Sequence, residues 1–186
     1  MAEITGKDIW NDAAVAGLAI GAFTVVMQLL AGLAAKISGG VAVAMLGSVV
    51  KFLVWAVKFV GCIWLMRFFM LRLCRRFNGV TNYDTRRFGM HAALLSAFIV
   101  SAFVFCTLYF TSPEELLATV EAAVSAAPVQ MDSNTRAALD RMIGKLPAIY
   151  FFVNLFYCWL YGTVLSAILS RNIPPFNPFD NIAPDE

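Results

Sequence analysis

The chain has 186 residues, of which 60% are apolar or aromatic and 14% charged; the net charge is +2 and the mean hydropathy +0.74. A soluble domain carries about 25% charged residues, so this composition excludes a soluble globular fold, and the small net charge offers no electrostatic footprint for nucleic acid. The length suits one helical bundle and leaves no room for a bundle plus a separate catalytic domain.

The N-terminal stretch carries Glu3, Asp8 and Asp12 ahead of its apolar run. A secretory leader begins with a basic region, so the first helix is expected to remain in the mature protein. Residues 13–35 are uncharged between Asp12 and Lys36. A hydrocarbon core of ~30 Å needs ~20 helical residues, so this stretch crosses once. Lys36-Ile-Ser-Gly-Gly40 reads as a tight turn. The apolar stretch 41–73 would reach ~50 Å as a helix, too far for one perpendicular crossing. The second span is therefore placed at 49–71, with 41–47 as a helical lead-in. It contains Lys51, Lys58 and Arg67, which makes it the least lipid-like of the four. The third span is expected at 88–110, with His91 near its start, and the fourth at 147–169. Tyr109, Phe110 and Tyr150 fall near span ends, where interfacial aromatics belong. Residues 1–171 thus read as one all-α, four-helix transmembrane domain.

Orientation follows from Lys and Arg. The connection between spans two and three holds Arg72, Arg75, Arg76, Arg86 and Arg87 against the single acid Asp84, and Arg171 follows span four. The positive-inside rule places this end and both termini in the cytoplasm. On the outer side, the loop 111–146 carries helix signals. Ser112-Pro-Glu-Glu115 has the form of an N-cap, a first-turn proline and first-turn acids. A second start at Asp132 or Ser133 places Arg136 and Asp140 for an i,i+4 pair. Two short amphipathic helices are expected there. The tail 172–186 has three prolines in eight residues and cannot be helical; Phe176 and Phe179 are its candidate partner contacts.

The candidate functional residues are cations. Lys51 and Lys58 are seven residues apart and share one helix face. A lysine at the bilayer centre costs ~2.5–3.5 kcal/mol on insertion scales and marks a functional site by default. No acid lies within any expected span to pair with Lys58. The alternative is that these long side chains snorkel toward the interface. The cluster Arg72, Arg75, Arg76, Arg86 and Arg87 suits a lipid phosphate or an acidic partner, because Arg binds phosphate in bidentate fashion; the alternative is a topology signal with generic lipid contact. Asn78-Gly79 marks a turn that folds this loop back.

Other features are weaker. Asn154, Tyr157 and Tyr161 form a polar stripe suited to interhelical hydrogen bonding. Gly17 and Gly21 form a GxxxG motif, which suggests close helix contact and, as one option, self-association. Cys62, Cys74, Cys106 and Cys158 show no metal-ligand spacing, and one histidine excludes a multi-histidine site. Walker A and Gly-x-Ser-x-Gly motifs are missing, so neither metal, cofactor nor catalytic residues are expected.

With its four spans, the Arg-rich Asn78-Gly79-Val-Thr loop leading through Tyr83 and Phe88-Gly89 into span three, and a helical outer loop, the chain from Asp8 to Arg171 resembles the domain of unknown function 4199 family. Those are small membrane proteins found mainly in one Gram-negative bacterial phylum, so the resemblance implies the inner membrane. The family has no assigned activity or functional residues. It implies one partner by gene neighbourhood: a family 2 glycosyltransferase resembling polyprenyl-phosphate sugar transferases. The expectation is a non-catalytic subunit that anchors such an enzyme at the cytoplasmic leaflet. A small transporter or lipid flippase using Lys58 and the Arg cluster, and a structural homo-oligomer, are the alternatives.

Overall fold

The computed structural model describes residues 5–35, 40–77, 79–111, 115, 144–171 and 173. Among the described residues four long helices stand out: α1 (Gly6–Ala35), α2 (Gly40–Arg76), α3 (Asn82–Phe110) and α4 (Leu146–Arg171). All four are long and apolar enough to cross a membrane, and together they form an all-α four-helix bundle of a multi-pass membrane protein. The expected helices of the outer loop, the turn at 36–39 and the tail with Phe176 and Phe179 lie outside the described residues.

Each helix is longer than the expected span, for local reasons. α1 starts at Gly6 instead of residue 13 because Thr5 and Asp8 cap it reciprocally. The Asp8 amide donates to Thr5 Oγ1 (3.4 Å) and the Thr5 amide donates to the Asp8 carboxylate (3.2 Å). α3 starts at Asn82 instead of residue 88 by the same device. Thr81, extended at φ −93°, ψ 165°, accepts from the Asp84 amide (3.2 Å), and Asp84 accepts from the Thr81 amide (3.1 Å). α2 continues through the expected lead-in without a break, and Arg75 and Arg76 in its last turn face the negative end of the helix dipole. Gly79 adopts φ +72° in the reversal to α3, a conformation that a side chain would disfavour. Phe77 and Val80 on either side are buried and fix the turn to the bundle.

The helices run up and down. Arg76 at the end of α2 reaches Asp12 near the start of α1, and Ser166 late in α4 donates to the Arg86 carbonyl early in α3 (3.0 Å). One end of the bundle therefore gathers all the loop arginines. Here the packing is close, because small residues let the backbones approach. A Cβ on Gly17 would stand 2.8 Å from the Ala92 carbonyl oxygen, and one on Gly21 3.1 Å from Ile99. A Cβ on Gly89 would overlap Ser166 and Met70, and one on Gly162 would crowd Ala93. The buried core (Ile9, Ala13 and Ala16; Met66, Met70 and Leu73; Phe88, Ala92 and Ala93; Leu169 and Ile173) belongs to this end.

Beyond it the bundle loosens. Among the described residues, no buried position occurs in α1 after Thr24, in α2 before Met66, in α3 after Ser101 or in α4 before Gly162. α3 packs extensively on α1 and α4, while α2 leans on α1 and touches α3 and α4 only slightly. The Gly17/Gly21 face is filled by α3 of the same chain, so the close helix contact expected of this motif is made within the fold.

Candidate functional site: a cleft at Lys58

Where α2 parts from α3 and α4, a cleft of about 240 Å³ opens. α2 contributes Trp55, Lys58, Phe59, Cys62 and Met66, and α4 contributes Tyr157, Cys158, Tyr161, Gly162 and Leu165. α1 supplies Ile20 and Thr24, and α3 forms the back wall with Ala93, Ser96, Ala97 and Val100. The small residues of α3 leave the space that bulkier ones would close. The walls are apolar apart from a few converging groups, the usual composition of a ligand site.

Among the described residues Lys58 is the only charged one lining this cleft. It is half-buried, and its ammonium makes no ion pair or hydrogen bond among the described residues. Of the acids among the described residues, Asp8 and Asp84 lie in the first turns of α1 and α3 and Asp12 in the second turn of α1, all at the arginine end, and Glu115 follows α3 at the opposite end; Lys58 stands 18 residues before Arg76, ~27 Å along the helix. Facing it are hydroxyls, thiols and rings. Thr24 Oγ1 donates to the Ile20 carbonyl (2.8 Å) and contacts Cys62 Sγ at 3.5 Å. Phe59 and Tyr161 approach across the gap between α2 and α4, ring centroids 6.0 Å apart. Both are partly exposed, at 41% and 37%, so this pair stands at the rim.

The expected pair of intramembrane lysines divides here. Lys51 shares the helical face of Lys58, yet it is exposed and does not line the cleft. The stripe on α4 divides too. Asn154 donates to Ser101 Oγ (3.1 Å) and serves packing, while Tyr157 and Tyr161 turn to the cleft. Thr24 and Ser96 were not singled out from sequence; a lone hydroxyl in an otherwise apolar helical stretch was their only signal.

The second cationic feature lies at the closed end. Arg72, Arg75, Arg76, Arg86 and Arg87 are all exposed. Arg76 is engaged with Asp12 (2.8 Å) and lies over the Phe77 ring. The other four make no ion pair among the described residues. Beside them His91 Nδ1 bonds the Arg87 carbonyl oxygen (2.7 Å), and its ring meets Trp10 edge-on at 4.8 Å. That pair ties α1 to α3 where headgroups would lie. Among the described residues no group of three His, Cys, Asp or Glu side chains could hold a metal ion.

No family model, curated protein or solved structure matches the chain.

Proposed function

We propose that the protein binds an anionic ligand within the membrane, with Lys58 as the attachment point, and acts as a small transporter or flippase for it. The observation that carries this reading is an ammonium without a carboxylate partner among the described residues, held in an apolar cleft. Removing a charge from water is expensive unless it is paired, and an anion entering the cleft supplies that pairing. The hydroxyls of Ser96, Tyr157 and Tyr161 add hydrogen-bonding capacity around it. Arg72, Arg75, Arg86 and Arg87 then concentrate anions at the end that the positive-inside rule assigns to the cytoplasm.

The test is a binding titration in nanodiscs with a phosphate-headed amphiphile. Lys58→Met should weaken binding by about tenfold or more, the scale of a lost charged hydrogen bond. Lys58→Arg should retain most of it and Lys51→Met should change little. Equal affinities for all four proteins would refute the assignment.

A second reading is favoured by the four arginines that make no ion pair among the described residues. They offer a cationic platform on which a membrane-surface glycosyltransferase using a polyprenyl phosphate could be anchored in the bacterial inner membrane, this chain being the non-catalytic subunit. Co-purification from a tag on either protein tests it, and independent migration in mild detergent would end it.

A further inference from the structure

We infer that the ligand of the Lys58 cleft is a lipid with a phosphate head, admitted sideways from the bilayer between α2 and α4 while its chain stays in the hydrocarbon. This rests on the anion-binding reading and specifies the ligand class and the route.

Three observations lead there. The first is depth. The rim pair Phe59 and Tyr161 lies far from the ends of the membrane-length stretches: Tyr161 is ten residues before Arg171, ~15 Å, and Phe59 is twelve residues after Gly47, where that stretch of α2 begins, ~18 Å. In a hydrocarbon core of ~30 Å, an opening at that level faces lipid chains. A free phosphate would have to cross apolar material to reach it, whereas a lipid diffuses past it. The second is size. At about 240 Å³ the cleft is smaller than the ~300–1,000 Å³ of sites that enclose a whole small molecule. It accommodates a headgroup and leaves the chain outside, against the exposed rings of Trp55 and Tyr157. The third is the weak closure of the seam. α2 and α4 meet only slightly, with one ring pair across the rim among the described residues, while the arginine end of α2 is fixed by Met66, Met70 and Leu73. Parting the helices at Phe59 and Tyr161 breaks few contacts and leaves the closed end intact.

Cys158 lines the cleft and serves as a native reporter. In a protein whose other three cysteines are Ser, the rate of Cys158 alkylation by a membrane-permeant maleimide is measured in phosphatidylcholine vesicles. The probes are phosphatidic acid in the bilayer and inorganic phosphate in large excess on both sides. Phosphatidic acid should slow alkylation by about tenfold, inorganic phosphate should not, and the protection should vanish in Lys58→Met. A variant retaining Cys62 in place of Cys158 repeats the measurement should the first fail to fold. Equal protection by inorganic phosphate would overturn the lipid route while leaving anion binding at Lys58 standing. Protection that survives Lys58→Met, or no protection by either probe, would overturn both.

Discussion

The two halves of this bundle are built from the same kind of helix and behave differently. At the arginine end, Gly17, Gly89 and Gly162 let backbones meet, two Thr/Asp caps fix the starts of α1 and α3, and Ser166 of α4 donates to a carbonyl of α3. In the other half, α2 carries Phe52, Trp55 and Phe59 as a stacked, largely exposed ladder, and its only half-buried charge is Lys58. Apolarity does not distinguish them, because lipid chains are as apolar as leucine and helix association in a bilayer depends on fit. Small residues and hydrogen bonds close one half. Bulky rings and a lysine hold the other open. Stability therefore belongs to the arginine end, and the capacity to take a ligand belongs to the half that packs poorly.

The largest expected effect concerns that division directly. Lys58→Met removes a charge whose insertion costs ~2.5–3.5 kcal/mol at the bilayer centre. The variant should insert and resist heat better than the native protein while losing ligand affinity. Thermal unfolding in detergent beside the binding titration checks this; a variant that is less stable would mean Lys58 is part of the scaffold. Next, Gly89→Leu forces a side chain against Ser166 and Met70 and should destabilise by about 1–3 kcal/mol, as overpacking does. Gly47→Leu meets open space and should stay within about 0.5 kcal/mol of native. Similar losses at both glycines would erase the contrast between the halves. Thr81→Ala should cost about 1 kcal/mol through its lost cap, seen as faster amide exchange in the first turn of α3. The smallest effect is the coupling between Asp12 and Arg76, about 0.2–1 kcal/mol for an exposed pair. A double-mutant cycle should find it shrinking as salt is raised.

Much of the closed half was legible in the sequence. The four apolar runs and the arginine loop give span number and relative orientation, since hydrophobic length and charge placement are properties of local sequence. The helix starts ahead of the expected spans, at Thr5-x-x-Asp8 and Thr81-x-x-Asp84, sit among polar residues, where hydropathy gives no signal. The cleft was only half legible. Lys58 stands out in any reading, yet its difference from Lys51 depends on where α2 leaves its neighbours, which no periodicity records. Thr24, Ser96, Cys62 and Cys158 come from different helices, and their convergence is a property of packing. Gly17 and Gly21 show the same lesson in reverse: the motif marks a close helix contact correctly, and only the fold identifies the partner as α3.

The central claim is that Lys58 draws an anionic headgroup into the cleft beside Trp55. It is tested most directly by quenching of Trp55 with brominated lipids in a protein whose other three tryptophans are Phe. Brominated phosphatidic acid should quench at about tenfold lower mole fraction than brominated phosphatidylcholine, and Lys58→Met should abolish that preference while Lys58→Arg keeps it. Equal quenching by the two lipids, unchanged by Lys58→Met, would contradict the account.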